Sequence, residues 1–537
     1  KPDPIYYKNV PSYYTTLHSI VLGVSTFTPD LTQAEVVKNE FSRNPQVDWN
    51  DIYRINKENA ENGSRIVLYE DRNDEDITTL NSNLSTRLAD NILLNAGVNL
   101  LNSKTKNFKN LLDLLGGNYY TDITTFGFNQ DTQQQSDMNN PNRQVVTGDK
   151  YGYNYNVYSK RLDAFTQFKF NYKKIDFYLA QSFSKTLYQR EGLYRNGYHP
   201  DNSFGKSEKK SFENFGFKGG LTYKLSGRHY FDFNGIYMSK APNHKDVFRN
   251  ARVNNSITDN ITNESIRSVD ASYIIRMPSL KARFTGYFNQ TLNSTDINFY
   301  YTDGGSGNFV SEVVTGIDRK NKGIEAGIEY QITSTIKLTG VAAYGDFTYT
   351  SNPNIAIYDD AGEITTQDGD KGASNISGLK VSGTPQQAYS LGIEYRDPKF
   401  WWVGVNANYL LDNYIDVSTL RRTSEFYVLP AEGTSYITSI DQSIADKFLS
   451  QEKFNPIELL NIVGGKSWRI KDYTIGIFAN MNNVLDFKYK TGGFEQSRSS
   501  TYATMFEDSR DGGVGPFGSK YFNGYGRTYM VNLYLTF

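Results

Sequence analysis

Gly323-Ile324-Glu325-Ala326-Gly327-Ile328-Glu329-Tyr330-Gln331-Ile332 separates into two unlike stripes. The even positions read Ile, Ala, Ile, Tyr, Ile, and the odd positions read Gly, Glu, Gly, Glu, Gln. Successive side chains of a strand point to opposite faces, so this stretch predicts a strand with one oily side and one acid-and-amide side. Thr333-Ser334-Thr335 supplies a tight turn, after which Ile336, Leu338, Ala342 and Tyr344 resume the pattern. In a water-bathed sandwich the oily stripe is the core and the polar stripe meets solvent. Carboxylates, amides and glycines suit instead a wet, crowded lumen, with the oily stripe turned to lipid. In hydrocarbon every backbone polar group must be paired within the protein, so such a sheet must close.

The unit recurs along the chain. Ile92, Leu94, Ala96, Val98 and Leu100 alternate with Asn95, Gly97 and Asn99. Phe168, Phe170 and Tyr172 alternate with Gln167, Lys169 and Asn171, and a Lys173-Lys174 turn leads into Ile175, Phe177 and Leu179. Hairpins of the same kind turn at Ser226-Gly227, Met277-Pro278-Ser279 and Asp397-Pro398. About 14 to 16 strands are legible, each near the ~10 residues that a tilted strand needs to cross a bilayer. Between hairpins lie long polar stretches, roughly 103–150, 189–210, 240–264, 290–310, 346–385 and 412–458. Strict alternation of short and long connections is the layout of an outer-membrane barrel, with short periplasmic turns and long extracellular loops. The expected fold is therefore all-β, a transmembrane antiparallel β-barrel. Lys169, Asn171, Glu325, Glu329 and Gln331 are the candidate lumen-facing residues.

Composition agrees. The 537 residues carry 57 basic and 58 acidic side chains, a net charge of −1, so no basic face points to nucleic acid. Hydrophobic residues are 38 % and mean hydropathy is −0.57, with no run approaching the ~20 apolar residues of a membrane helix. Yet Tyr numbers 41 and Phe 33, a supply suited to aromatic girdles at two lipid–water boundaries. Cysteine is absent, which excludes disulfides and thiol nucleophiles. The last strand, Tyr529 to Phe537, puts Tyr529, Val531, Leu533, Leu535 and Phe537 on one face and stops on an aromatic ring. That pattern looks like a C-terminal sorting signal for outer-membrane insertion.

Other motifs carry little chemistry. Gly464-Gly465-Lys466-Ser467 lacks the glycine spacing of a phosphate loop and sits in a strand pattern. The acids Glu70, Asp71, Asp74, Glu75 and Asp76 read as a solvated loop at the membrane rim rather than a calcium site, as do Asp359, Asp360, Glu363, Asp368 and Asp370. The four histidines, His18, His199, His229 and His244, show no ligand spacing, so no metal, cofactor or catalytic set is expected. Arg190, Arg195, Arg249, Arg252, Arg421 and Arg422 fall at strand-to-loop borders, open to lipopolysaccharide phosphates, an anionic solute or plain rim charge. Residues 1–60 read as an extracellular loop region ahead of the barrel at 61–537, and Ile440, Ile444 and Phe448 predict a short loop helix.

Several stretches together resemble a known family. They include Ser64-Arg65-Ile66-Val67-Leu68-Tyr69-Glu70-Asp71, Gly148-Asp149-Lys150-Tyr151-Gly152-Tyr153, Gln189-Arg190-Glu191-Gly192-Leu193-Tyr194, Phe248-Arg249-Asn250-Ala251-Arg252, Asn482-Asn483-Val484-Leu485-Asp486 and Tyr489-Lys490-Thr491-Gly492-Gly493-Phe494-Glu495-Gln496. They resemble the barrel of TonB-dependent receptor-like proteins of the Bacteroidota, the group with an N-terminal carboxypeptidase-like regulatory domain. The resemblance implies a barrel of about 22 strands with a plug. The plug and first strands are expected to lie outside this sequence, since Lys1-Pro2-Asp3-Pro4 resembles a loop reached after several strands. It also implies energised uptake of a solute in the outer membrane, with TonB engaged through that N-terminal part. The alternative is a structural barrel in a larger outer-membrane complex for secretion, barrel assembly or lipoprotein handling. Expected partners are outer-membrane lipid, lipopolysaccharide and, in the alternative, a surface lipoprotein or other subunits.

Overall fold

The computed structural model describes residues 6–21, 24–124, 132–302, 309–362, 364, 366–432, 435, 437–509 and 517–537. Lys1-Pro2-Asp3-Pro4, Glu363 and the side chain of His18 lie outside them.

Among the described residues fifteen long strands form one antiparallel wall: β1 Leu68–Ala89, β2 Ile92–Asp113, β3 Lys150–Asn171, β4 Ile175–Gly192, β5 Lys210–Lys224, β6 His229–Lys240, β7 Glu264–Arg276, β8 Leu280–Tyr301, β9 Phe309–Gln331, β10 Ile336–Tyr349, β11 Gln387–Arg396, β12 Trp401–Leu411, β13 Ile457–Ile470, β14 Tyr473–Asn482 and β15 Thr528–Thr536. Each is paired with its chain neighbours, from β1–β2 through β14–β15. Three short strands, Gly205–Lys206, Asn354–Asp359 and Asp370–Ala373, complete an eighteen-stranded sheet. β1 carries its ladder to β2 and β15 its ladder to β14, and both strands are exposed along nearly their whole length.

Connections alternate as the sequence predicted. Turns at 90–91, 172–174, 225–228, 277–279, 332–335, 397–400 and 471–472 lie at one end of the wall, and the long loops lie at the other. Among the described residues no helix is long and apolar enough to cross a membrane, and in a barrel the crossing is made by strands.

The register sets like on like. Phe168, Leu179, Gly219, Gly235, Val269 and Phe288 form one continuous rung on the oily face. The next rung, on the polar face, runs Lys169, Tyr178, Gly220, Asn234, Asp270, Tyr287 and Gly323. Tyr178 Oη donates to Asn234 at 3.2 Å and Asn234 Nδ2 to Asp270 at 3.1 Å. Gly220 is required there, because a Cβ at that position collides with the Tyr178 ring and the Asn234 amide. Rings cluster near the short turns, with Phe170 stacked on Phe177 at 4.4 Å and Phe231 on Tyr273 at 5.0 Å.

The structure corrects two expectations. Several strands are about twice the predicted length: β2 and β8 have 22 residues and β9 has 23, so 103–113 and most of 290–310 are wall rather than loop. The acids Glu70 to Asp76 sit in strand β1, not in a loop. There Asp76 pairs with Lys106 at 2.7 Å, Asp74 with Arg72 at 3.0 Å, and Glu75 accepts from Ser103 at 2.7 Å. Residues 1–60 hold helices Pro11–Thr15, Leu31–Arg43 and Trp49–Glu58. Asp30 and Asp48 cap the last two through the backbone N–H groups of Gln33 and Asp51. The helix expected near Ile440 is present as Gln442–Leu449, capped by Asp441.

Buried apolar clusters collect at the long-loop end. One joins Val310, Val314 and Ile317 of β9 to Ile355, Ile357, Ile376 and Leu420. Others centre on Phe212, Val247 and Phe248, on Phe426, Ala445 and Tyr502, and on Leu111, Val145 and Tyr151.

Candidate functional site

The loop end contains a cleft of about 1000 Å³. Its first wall comes from the strand ends above the β8–β9 connection. Ile297 to Tyr301 and Phe309 to Val314 are rich in aromatic and β-branched residues, which keep these segments in the sheet beyond the oily band. Asn298 opposes Glu312 and Tyr301 opposes Phe309. Phe309 stacks near-parallel to Phe299 at 6.1 Å and meets Tyr301 edge-on at 5.0 Å.

The second wall is a small hairpin, Lys490–Phe494 with Lys520–Asn523, that brings Phe494 and Phe522 to 6.1 Å. The loop after β12 zips onto it. Asp416 N–H donates to Gly493 O and Glu495 N–H to Asp416 O, both at 2.9 Å. A third surface holds Tyr7 and Phe517 at 5.2 Å, with the Arg498 guanidinium 4.1 Å from the Phe517 ring centre and 5.0 Å from that of Tyr7. A guanidinium over a ring face is held by the ring quadrupole.

Charged groups pin the loops behind these rings. Arg422 and Glu495 form a two-pronged buried ion pair at 2.6 and 3.0 Å. Arg422 also donates to the carbonyls of Ser418 and Leu449, and Ser418 N–H donates to Glu495. Paired on both sides, the two charges fix where the 416–422 and 493–497 segments meet. Glu312 is only 1 % exposed and accepts from the Thr419 hydroxyl. It lies some twenty residues above the short turn, outside the crossing segment, and burial raises its carboxyl above the usual range. Asp416 opens to the cleft and accepts from Ser382 at 2.9 Å.

None of the five residues singled out from the stripes lines this cleft. They occupy the polar face of the lower wall. Glu329 is ion-paired with Lys281 at 2.9 Å, Glu325 faces Thr285 and Ala343, and Gln331 donates to Thr333 O in the turn. Lys169 lies between Leu93 and Tyr178, and Asn171 faces Asp176. β3 and β9 are six strands apart, so the two groups do not meet. The border arginines act inside the loops. Arg190 is buried and donates to the carbonyls of Ala251 and Ser203 at 2.7 and 2.9 Å, and Arg249 stacks on Tyr358 at 4.2 Å. Among the described residues no group of three or more His, Asp or Glu side chains converges as a metal site.

No protein-family model and no curated protein matches the chain. Solved structures do. The siderophore receptor PiuA from Acinetobacter baumannii matches at 13 % identity and TM-score 0.53, over 86 % of this chain and 56 % of that one. The ferric citrate transporter FecA in its unliganded form matches at 10 % identity and TM-score 0.53, over 86 % and 54 %. The copper transporter OprC matches at 13 % identity and TM-score 0.51, over 86 % and 56 %. The chain thus spans about half the length of these structures. The likeness is one of fold: the chain is built as the antiparallel barrel wall of these receptors and transporters, with long loops at one end and short turns at the other.

Proposed function

We propose that the chain is the wall and outer-loop portion of a TonB-dependent transporter in the cell outer membrane, admitting a solute first held in the loop-end cleft. The observation that carries this reading is the division of the wall. An oily, exposed face over the lower strands fits lipid, and a self-supporting loop layer encloses a cleft above it. Among the described residues the ladders of β1 and β15 are single-sided, and hydrocarbon does not tolerate open sheet edges. Further strands and a plug, supplied outside this sequence, would complete the barrel and contact TonB. Glu325, Glu329, Gln331, Lys169 and Asn171 then line its lumen, and Tyr529, Val531, Leu533, Leu535 and Phe537 present the insertion signal. The fold relatives support the reading, since their names describe a receptor and transporters.

The test is a gene deletion in the native host, complemented by the full-length protein. The expected result is an outer-membrane protein whose loss abolishes uptake of one scarce solute, with uptake also lost when the inner-membrane proton gradient is collapsed. Normal uptake of every nutrient in the deletion strain, together with loss of a co-purifying complex, would instead establish the scaffold role. That second reading draws on one observation. The helix pair Leu31–Arg43 and Trp49–Glu58 leaves Val36, Phe41, Trp49 and Tyr53 exposed, a surface suited to a protein partner.

A further inference from the structure

The oily face of the wall is furrowed and carries one polar group out of place. We propose that its upper part, on strands β3 to β7, holds one outer-leaflet lipid of defined chemistry. That lipid is anionic, with acyl chains that are amide-linked and hydroxylated near their root, the kind that anchors lipopolysaccharide. Gln181, Gly235 and Arg267 select it. The proposal rests on the reading of the oily face as lipid-facing, and not on solute uptake.

The furrow comes first. A hollow of about 660 Å³ is floored by Gly219 and Gly235, flanked along their rung by Leu179 and Val269, and bounded by Phe217 and Tyr237 of the next rung. It continues toward the short turns as a hollow of about 520 Å³ between Phe177, Leu221 and Phe233. Another, of about 510 Å³, opens beside Thr166 and Gln181 over Ala96 and Ala164. Adjoining hollows in an oily surface take flexible hydrocarbon chains lying along the strands. Glycine weakens a strand interior, so its presence needs a cause. At Gly235 the cause is neither a left-handed backbone nor crowding, because a Cβ there would meet its nearest neighbour, Val269, at an ordinary 3.8 Å. The missing side chain keeps the furrow open.

The polar group is Gln181. Thr166 opposes Gln181, Gln181 opposes Phe217, Phe217 opposes Tyr237 and Tyr237 opposes Arg267. These side chains share the outer face with Phe168 and Leu179, two residues away on their strands. Gln181 is exposed there, and the Thr166 hydroxyl beside it has no hydrogen-bond partner among the described residues. A bare amide in hydrocarbon is costly, because its donors and its acceptor go unmet. An ester carbonyl meets only the donors, whereas an amide N–H or a hydroxyl also donates to the Gln181 oxygen. Depth agrees. Gln181 stands four residues below Lys185, roughly 10 Å of depth for a tilted strand. Lys185 is ion-paired with Glu213 at 2.7 Å, which marks the water boundary. Rungs climb along this wall, since the furrow's own rung runs past Phe288 into the ion pair of Lys322 and Asp346. Arg267 therefore reaches the boundary as well, its guanidinium 5.6 Å from the Tyr237 ring centre with its charge intact. Lys160, exposed above Leu162, adds a third cation. Lys160, Lys185 and Arg267 against Glu213 suit a phosphate, with the root amides and hydroxyls beneath it at Gln181 and the chains in the furrow.

The experiment is native mass spectrometry of the full-length protein, stripped of lipid in detergent and titrated with diphosphoryl lipid A or with dipalmitoyl phosphatidylglycerol. The expected result is a saturable lipid A adduct, held about tenfold tighter than phosphatidylglycerol. Gln181→Leu and Gly235→Leu should each weaken it about tenfold, and Gly235→Ala should weaken it less. Leucine suits a lipid-facing strand, so these variants should fold, and heat-modifiable gel migration verifies it. Arg267→Gln should also weaken lipid A binding. Absence of a saturable adduct overturns the proposal, and so does lipid A binding that survives both leucine variants. Equal retention of phosphatidylglycerol, lost in the same variants, overturns the selectivity for amide and hydroxyl and the proposal with it. A dimer of this chain that persists without lipid and separates in Gly235→Leu gives the furrow to a second copy instead. Failure to insert into lipid vesicles removes the membrane reading itself, whereas insertion without lipid A binding removes only the site.

Discussion

The two halves of strand β9 belong to the same ladder and obey opposite rules. In its upper half, Val310 and Val314 are 0 % and 1 % exposed, packed under Ile355, Ile376 and Leu420. In its lower half, Ile324 is 65 % exposed and Ile328 41 %, although both are as oily as the valines above. Burying one such side chain is worth about 1.5–3 kcal/mol in water. A chain that covers its valines so thoroughly above and leaves isoleucines bare below is built for two solvents. The upper half folds as a water-bathed protein does, around small cores. The lower half has no core of its own, because lipid covers one face and a polar lumen the other.

The comparison breaks first at Arg422. Arg422→Ala strips a buried partner from Glu495 and should cost about 3–5 kcal/mol, confined to the loop layer. Hydrogen exchange should rise across 412–456 and 483–527 while the lower strands stay protected. Cooperative loss of protection in both halves would show that the two are one unit. Next in size is Ile328→Arg. A cation near mid-bilayer should destabilise the inserted barrel by about 2–4 kcal/mol, measured by urea unfolding from lipid vesicles. An unchanged midpoint would mean that Ile328 does not meet hydrocarbon.

Legibility followed the same division. The lower strands were readable because two different surroundings impose a strict period of two, so Ile324, Ala326 and Ile328 separate cleanly from Glu325, Gly327 and Glu329. The upper extensions were not. Phe309 to Ile317 has apolar residues on both faces, and Lys104, Lys106 and Lys109 of β2 put charge where a strand meets water, so each stretch reads as loop. The Leu31–Arg43 and Trp49–Glu58 helices carried usable signals in the Asp30 and Asp48 caps and in Ala34 and Val37, masked by short length and polar faces. The cleft was the least legible part. Glu312 of strand β9, the Ser418-Thr419 segment and Glu495 come together from stretches more than seventy residues apart in sequence, so no local spacing announces them. Thr491-Gly492-Gly493-Phe494-Glu495-Gln496 stood out as a family-like motif, but nothing in it named the partner Arg422.

A smaller effect sharpens the upper half. Asp360 is pushed up to about 7, chiefly by burial, and Asn250 Nδ2 donates to it at 2.5 Å. In the unfolded chain its pKa is about 3.9, so the folded loop holds the extra proton between those values and loses stability as pH rises from about 4 to about 7. Asp360→Asn keeps an acceptor for Asn250 and has no proton to lose. Its thermal midpoint should exceed that of the parent protein at pH 8 and match it at pH 4. Equal midpoints at both values would mean that the group does not titrate with folding.

The smallest effect probes the polar stripe itself. Glu329 bonds Lys281 at 2.9 Å with both side chains substantially exposed, and exposed pairs are worth roughly 0.2–1 kcal/mol. Glu329→Gln should therefore shift the vesicle unfolding midpoint little, although residue 329 adjoins Ile328 in the chain. The contrast between neighbours is the point, because a strand shows its two faces to different media one residue apart. If Glu329→Gln cost as much as Ile328→Arg, the carboxylate would be buried against protein rather than set in a wet lumen. The oily and polar stripes would then not divide lipid from water.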